Sequence, residues 1–384
     1  MPADIGLSDT QDSFVTSKNQ CTLMAKMPIA HLRLQQQHIS HPINTAVAAA
    51  THLVAVQAQD YAAAKWALGL RAPGVTDAGI EAAYNAGSIV RTWAFRNTLH
   101  TLAADDVHWV LDLVGQRMIS KHATYYRQHG IEESTLRKSQ PILHRVLEGG
   151  QHLTREALAD ALTARRIKLG PQHINFILLR AAMDKLVCYG PRQGKALTFT
   201  LLQDWVKPPK ATLGFDEALA QLAQRYCQSR GPVTSADFAW WAGLTGTDAK
   251  KGMEMATGLE TFTSNGQTYY MPAGLKLQHD GKGIYLLAAF DEYLVGYADR
   301  SAALDDPTFK KVVYTANGIF FPTIVINGRV EGIWKRTFKN NEVYVTLHPF
   351  SPLSKTRLAA ITTVARRYAA FMGCKLVLSN PGPT

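Results

Sequence analysis

Two glutamines stand one residue apart in the segment VQAQDY, residues 56–61, directly after an apolar, alanine-rich run. An amide carries no charge at any working pH, so neither Gln57 nor Gln59 can act as a general base. Each can still hold a water, because its carbonyl accepts and its amino group donates a hydrogen bond. A positioned water suffices when the leaving group is already cationic, as an N3- or N7-alkylated purine is. The pair is therefore a candidate site for hydrolysing an N-glycosidic bond. A structural alternative stays open, in which both amides end a helix and bond nearby backbone groups.

The composition indicates a globular protein with an acidic partner. Of the 384 residues, 46% are hydrophobic and 18% charged, and the formal net charge is +11. Such an excess favours an acidic polymer, and double-stranded DNA is the partner we expect. The sequence has no run of 18 apolar residues that could cross a membrane. Residues 1–26 form a loose polar leader without a secretory signal, so we expect a cytoplasmic protein.

The sequence lacks the motifs of metal and nucleotide sites. Its four cysteines are far apart and form no CxxC pair, and its 13 histidines show no HxxxH spacing. It also has no GxxxxGK[ST], GxGxxG or GxSxG motif. We therefore expect no metal ion, no nucleotide cofactor and no serine nucleophile.

The middle of the chain shows the order of a winged helix. Residues 152–167 carry apolar side chains at helical spacing behind Thr154 as the cap, and residues 173–190 form a second such run. A turn with Arg192 and Lys195 then joins two extended pieces. Helix, turn, helix and basic β-hairpin is the order of winged-helix units, whose hairpin, the wing, can contact the DNA backbone or minor groove.

The same order recurs on both sides of this unit. Residues 215–274 repeat it with a hairpin turn at Asn265-Gly266, and helices at 43–59, 61–71 and 77–87 lead to a hairpin at 88–103. The chain closes with a strand-rich region and an amphipathic helix. The sequence thus predicts an α+β fold of tandem winged helix-turn-helix units and a small strand-rich C-terminal domain. The predicted division is a leader at 1–26, a first winged helix at 27–104, a helical connector at 105–150, a second winged helix at 151–210, a third at 211–274 and a C-terminal α+β domain at 275–384.

The first hairpin is rich in side chains that could contact DNA. Strand alternation would put Arg91, Trp93 and Phe95 on one face, and Thr92, Ala94 and Arg96 on the other. We expect DNA contacts from this wing and from the basic turn of the second unit, at Arg91, Trp93, Arg96, Asn97, Thr98, His100, Arg192 and Lys195. The alternative is a half-buried strand with solvated arginines and a structural histidine.

Lys65 bears on the type of glycosidic chemistry. A lysine could attack the sugar and form a Schiff base, which would make the protein a lyase as well. A lone lysine on an alanine-rich helix is usually solvated, however. We therefore expect hydrolysis alone.

Four segments resemble the AlkZ-like winged-helix DNA glycosylase family. They are LVAVQAQDYAAAKWALGLR, IVRTWAFRNTLHTLAADDVHWVL, AFDEYLVGYADR and FFPTIVINGRVEGIWKR, and they occur in the family's order. The resemblance implies tandem winged helices around a DNA-binding concavity, excision of N-alkylated purines and, in some members, opening of interstrand crosslinks. The family's Gln-aliphatic-Gln motif falls on Gln57, Ala58 and Gln59, which implies that the two glutamines are catalytic. A related branch has aspartate at the second glutamine's place, and this chain does not.

Residues and resemblance together predict a monomeric, monofunctional DNA glycosylase for N-alkylated purines. Gln57 and Gln59 would position the water and stabilise the sugar cation. Two alternatives stay open. A non-catalytic DNA-binding or regulatory protein would bind a selected sequence and release no base. Winged helices used as protein-interaction modules would show no salt-dependent DNA binding.

Overall fold

The computed structural model of the chain describes residues 29–209, 211–275 and 282–382. It has an α+β structure, as the sequence predicts, in which helices pack around four separate sheets within the described ranges. The predicted leader, residues 1–26, lies outside those ranges. None of the helices described in them is long and apolar enough to span a membrane.

Residues 56–103 form a unit of strand, helix, helix, strand and strand. The three strands pair antiparallel in the order β1-β3-β2, so the first strand lies against the last. Two helices precede the unit, α1 (Ile29–Gln36) and α2 (Ala46–Leu53). Its elements are β1 (Val56–Gln57), α3 (Tyr61–Arg71), α4 (Asp77–Asn85), β2 (Ile89–Trp93) and β3 (Leu99–Ala103).

The helix predicted over residues 43–59 is much shorter in the structure, because it ends at Leu53. Val54 has a φ of 63°, which takes a β-branched residue out of the helical region. The fully buried chain beyond it then pairs with β3, where Gln57 lies opposite His100. The helix end that the structural alternative assumed for the glutamines is therefore not found at these residues. Gln57 belongs to a strand and Gln59 to the turn before α3, because sheet pairing outweighs local helix preference here.

The hairpin predicted at residues 88–103 is confirmed, but its alternation ends early. The ladder of β2 and β3 stops at Trp93, and a three-residue 3-10 turn, Phe95–Asn97, follows. Ala94 has φ −146° and ψ −109°, outside the strand region, so Phe95 does not continue the face of Arg91 and Trp93 as predicted.

A second unit repeats the strand order of the first. Its strands pair antiparallel in the order β4-β6-β5. The predicted cap is confirmed, since the Thr154 hydroxyl accepts a bond from the backbone N–H of Ala157 at 3.2 Å. The second helix ends at Met183 rather than near residue 190, because the next residues enter the sheet. The elements are β4 (Leu153–Thr154), α7 (Arg155–Ala164), α8 (His173–Met183), β5 (Val187–Tyr189) and β6 (Thr198–Leu201).

A third unit has the same order in reduced form. A single bridge between Val233 and Tyr270 takes the place of the first strand. The predicted Asn265-Gly266 turn is confirmed, and both residues have positive φ, as a two-residue hairpin turn requires. The elements are α10 (Phe215–Arg230), α11 (Ser235–Ala242), α12 (Gly246–Met255), β7 (Leu259–Ser264) and β8 (Gln267–Pro272), and the short α9 (Leu202–Trp205) comes before them.

The connector and the C-terminal region complete the fold. The connector consists of α5 (Ala104–Gln128) and α6 (Glu133–Leu147). The C-terminal region holds a five-stranded sheet of order β13-β12-β11-β10-β9, parallel only between β12 and β13. Its elements are β9 (Ile284–Leu286), α13 (Glu292–Val295), α14 (Pro307–Val313), β10 (Thr323–Ile326), β11 (Arg329–Lys339), β12 (Glu342–Pro349), α15 (Lys355–Met372) and β13 (Lys375–Ser379).

Two large apolar cores hold these elements together. One joins the connector to the second and third units and reaches into β2 and β3. The other joins α2, α3 and α4 to the C-terminal sheet and α15. The strand that carries Gln57 lies where the two cores meet, since Val54 and Ala55 belong to the first core and Leu53 and Val56 to the second. The strand that carries Gln57 therefore packs against both cores.

Candidate active site

Gln57 is buried and is held by charged groups at two points. Its backbone N–H donates to Oε1 of Glu292 at 3.0 Å. Its side-chain carbonyl Oε1 accepts from the Arg96 guanidinium at 3.1 Å. Because a guanidinium can only donate, the amide oxygen must face Arg96 and the amino group must point away.

Gln59 is exposed and is anchored more lightly. Its Oε1 accepts from the backbone N–H of Leu99 at 3.2 Å, while Ala58 between the two glutamines donates its N–H to the Leu99 carbonyl at 2.7 Å. The residue that follows, Asp60, caps α3 by accepting from the N–H of Ala63 at 2.9 Å. Both glutamines are therefore fixed through their carbonyl oxygens, which leaves two amino groups and the remaining carbonyl lone pairs for a ligand.

A buried ion pair supports the strand of Gln57. Glu292 and Arg230 are both fully buried, with 2.6 Å between Oε2 and the guanidinium. Arg230 also donates to the carbonyls of Leu53 and Ala55, at 2.9 and 3.0 Å. Trp241 donates its indole N–H to Glu292 at 3.0 Å. The first unit, the third unit and the C-terminal region thus meet at one carboxylate directly behind the glutamine strand. A removed partner would leave a buried, unpaired charge.

Two further polar side chains share the row of Gln57 across the sheet. Gln57 lies opposite His100, and His100 lies opposite Thr92. The His100 ring donates from Nδ1 to the Thr98 carbonyl at 3.0 Å, and its Nε2 and the Thr92 hydroxyl are buried without a hydrogen-bond partner. Burial, reinforced by the charge of Arg96, lowers the pKa of His100 to about 3. The imidazole is therefore neutral at working pH and cannot serve as a general acid there.

Arg91 and Trp93, on strand β2 of the first wing, pack against protein. Arg91 is buried, donates to the Ala58 carbonyl at 3.1 Å and lies 4.4 Å from the centre of the Tyr189 ring. Trp93 is also buried, and its ring stacks on Phe199 with centroids 6.2 Å apart. Both contacts join β2 to the sheet of the second unit. Arg91 is 5% exposed and Trp93 9%, so the structure leaves little of either side chain open for the predicted DNA contacts.

The turn of the first wing is partly exposed. Arg96, Asn97 and Thr98 are half-buried, and the Asn97 amide contacts the ring of His122 on α5. The Thr98 hydroxyl donates to the Phe95 carbonyl at 3.1 Å, inside the turn itself. These three are the more exposed of the six first-wing residues predicted to contact DNA, whereas His100 is fully buried.

The second wing is open to solvent. Lys195 is exposed, and its backbone carbonyl accepts from Arg192 at 3.2 Å. Arg192 is half-buried and lies 3.7 Å from a carboxylate oxygen of Glu81 on α4. The wing therefore presents the Lys195 cation outward, while Arg192 ties it to the first unit.

Lys65 differs from the expectation of a solvated lysine. It is 3% exposed, and its Nζ lies 2.8 Å from Asp77 and 2.8 Å from Glu81. An amine held as a cation between two carboxylates cannot attack a sugar, because the nucleophile must be the free base. Pairing with Asp77 and Glu81 therefore disfavours lyase chemistry at Lys65. The sequence did not predict this pairing.

Sequence reasoning missed the residues that support the glutamines. Glu292 lies in a stretch expected to be extended, yet it opens a short helix and contacts Gln57 from 235 positions away. Asp291, the residue before it, forms a buried pair with Arg71 at 2.8 Å. Such partners have no local signal, since nothing near Gln57 in sequence marks them. Across the described residues no group of three or more His, Cys, Asp or Glu side chains could hold a metal ion.

Comparison with known proteins identifies the family to which the chain belongs. The chain matches the family model for DNA glycosylase AlkZ-like proteins over residues 50–371. It therefore belongs to the AlkZ-like DNA glycosylase family, whose members act in DNA repair. It is 26% identical over 342 residues to an interstrand DNA cross-link repair glycosylase from Streptomyces sahachiroi, an alignment that covers 84% of this chain and 89% of that protein. The solved structure of Streptomyces sahachiroi DNA glycosylase AlkZ shares the fold, with a TM-score of 0.76 at 24% identity over 92% of this chain and 98% of that one.

Proposed function

We propose that the chain is a monofunctional glycosylase that hydrolyses the N-glycosidic bond of N-alkylated purines in double-stranded DNA. One observation carries this proposal. The amides of Gln57 and Gln59 are both anchored through their carbonyl oxygens, so they offer a fixed set of uncharged hydrogen-bonding groups at one place. Such a set can hold a water and cannot take up its proton.

The chemistry suits a substrate with a good leaving group. An N-alkylated purine is cationic, so its bond to the sugar breaks with little help and the sugar develops positive charge. The alkylated base leaves as a neutral purine. The glutamines hold the attacking water beside the sugar carbon, and their carbonyl lone pairs stabilise the charge. The proton that the water loses as it bonds to this carbon passes to solvent. The neutral imidazole of His100 adds no positive charge to the site. We assign no cofactor and no metal to the reaction.

The three repeated units suit DNA as the partner. We propose that they are tandem winged helices, because each runs through one strand or bridge, two helices and a hairpin, with the first strand against the last. The net charge of +11 would attract the phosphate backbone. We propose further that the chain acts as a monomer in the cytoplasm, and that, like its relative from Streptomyces sahachiroi, it opens interstrand cross-links.

The test uses a duplex with a single N7-methylguanine, treated with alkali after incubation with the protein. We expect strand cleavage at the lesion, and none when both glutamines are replaced (Gln57→Ala with Gln59→Ala), with DNA affinity within about threefold of wild type. Gln128→Ala, at an exposed residue of the connector, is the matched control. Undiminished excision by the double variant would remove the role assigned to the glutamines. Salt-sensitive duplex binding without excision of this lesion or of a cross-link would favour the non-catalytic alternative.

A further inference from the structure

Arg96 occupies a backbone position that its residue type does not favour. It has a φ of 55° inside the turn Phe95–Asn97, in the left-handed region where glycine or asparagine is the usual choice. Asn97 has the same conformation, with a φ of 54°. A turn needed only to join two strands would not require an arginine here. The side chain is thus the feature to explain.

That side chain spans two units of the molecule. One amino group of the guanidinium donates to the Trp241 carbonyl on α11, and the other donates to Oε1 of Gln57 at 3.1 Å. Because the guanidinium is planar, the bond to α11 also fixes the direction of the donor that meets Gln57. The orientation of the glutamine amide therefore depends on the docking of the third unit.

The surroundings are compatible with a permanent cation. Burial lowers the pKa of Arg96 to about 10, against the opposing effect of Glu292, so the group stays charged at neutral pH. The fully buried Glu292, which is paired with Arg230, also attracts the Arg96 cation and binds the Gln57 backbone. Gln57 is thus held between a fixed cation at its side chain and a fixed anion at its main chain.

We propose that Arg96 is a positioning residue, which orients the amide of Gln57 for the hydrolytic water rather than serving as a contact for DNA phosphate. The inference rests on the proposed glycosylase function. It predicts that loss of Arg96 slows the chemical step and leaves the electrostatic part of DNA binding unchanged. If Arg96 were a phosphate contact, its loss would instead weaken the salt dependence of DNA binding and leave the rate unchanged. Each lost phosphate contact reduces the slope of log affinity against log salt concentration by about 0.9.

The experiment compares three variants by single-turnover excision and by the salt dependence of the dissociation constant. We expect Arg96→Ala to lose about 10- to 100-fold in rate, since misplacement of a reacting group by about 1 Å can cost about 100-fold. Arg96→Lys should be intermediate, because one ammonium cannot serve both acceptors in plane. Guanidinium chloride added to Arg96→Ala should restore part of the rate. Arg137→Ala is the matched control, since Arg137 is an exposed arginine of the connector that pairs with Glu133 on the same helix.

A spectroscopic readout separates this inference from the proposed function. In nitrogen-15 spectra, the side-chain amide of Gln57, assigned from its loss in Gln57→Ala, should shift and exchange faster in Arg96→Lys and stay unchanged in Arg137→Ala. That result would support the inference even if wild type released no base, an outcome that would count against the proposed function alone. An unchanged amide signal, or a reduced salt slope with a wild-type rate, would overturn the assignment of Arg96.

Discussion

The first and second wings share one strand order but have opposite surroundings. All ten residues of β2 and β3 are buried, and the turn between them rests on α5 and α11. The second wing has a turn whose residues 193–196 are exposed. Units of the same strand order therefore need not have the same role in the molecule. One copy is built into the interior beside the glutamines, and the other keeps an exposed turn.

We expect the largest effect at Glu292, the buried carboxylate that contacts the backbone of Gln57. Glu292→Gln keeps the shape of the side chain and removes its charge, so Arg230 remains as a buried, unpaired cation. We expect the free energy of unfolding in urea to fall by about 3 to 5 kcal/mol. The comparison variant is Glu156→Gln in the second unit, where the pair with Arg155 is more than half exposed and should contribute about 0 to 1 kcal/mol. Equal losses in the two variants would show that the supports of the first wing are no more critical than surface charges.

The next effect is on the acid side of the pH range. The pKa of His100 is about 3 in the folded protein, against an ordinary 6.5 when unfolded. Between those values the unfolded chain binds a proton that the folded protein does not, so stability falls as pH falls through this window. Between pH 7 and pH 4.5 the loss should be about 2 to 3 kcal/mol.

Urea titrations of wild type and His100→Asn at the two pH values check this expectation. Only the change with pH is compared, because the variant also alters packing. Other groups that lose stability in acid, such as the buried His52 with a pKa of about 4, contribute equally to both proteins. His152→Asn, at a half-buried ring beside the second wing, should alter the pH dependence much less. The same loss of stability in acid in wild type and His100→Asn would contradict the buried, neutral state of the ring.

Local sequence was enough to predict the repeated order and its turns. The Thr154 cap and the Asn265-Gly266 turn are both where the sequence puts them, because caps and two-residue turns depend on residues within four positions. The end of α2 at Leu53 was not predictable in this way. An alanine-rich segment favours helix, and only pairing with a strand more than 40 residues later brings Val56 and Gln57 into a sheet.

The candidate site was predictable in its two glutamines but not in its support. The resemblance to the family placed Gln57 and Gln59, and the basic character of the first wing suggested contact with DNA. Burial of that wing could not be read from its composition, since arginine and tryptophan serve equally well on a surface and between packed sheets. Arg91 is an example, because its guanidinium donates to the carbonyl of Ala58, the residue between the two glutamines. The charged side chains nearest the glutamines thus act on the protein, not on solvent.

We expect the smallest effects at Lys195, in the exposed turn of the second wing. Lys195→Ala should leave stability within about 0.5 kcal/mol, because the side chain is exposed. It should weaken duplex binding a few-fold and reduce the salt slope by up to about 0.9, as one lost phosphate contact would. Lys355→Ala, at an exposed lysine at the start of α15, is the control for a general loss of positive charge.

Arg91→Lys should have the opposite effect to Lys195→Ala, because Arg91 contacts protein. We expect a lower excision rate and an unchanged salt dependence of DNA binding. If Arg91→Lys reduces the slope and Lys195→Ala does not, the first wing meets DNA after all, which would require the molecule to open between its first and second units.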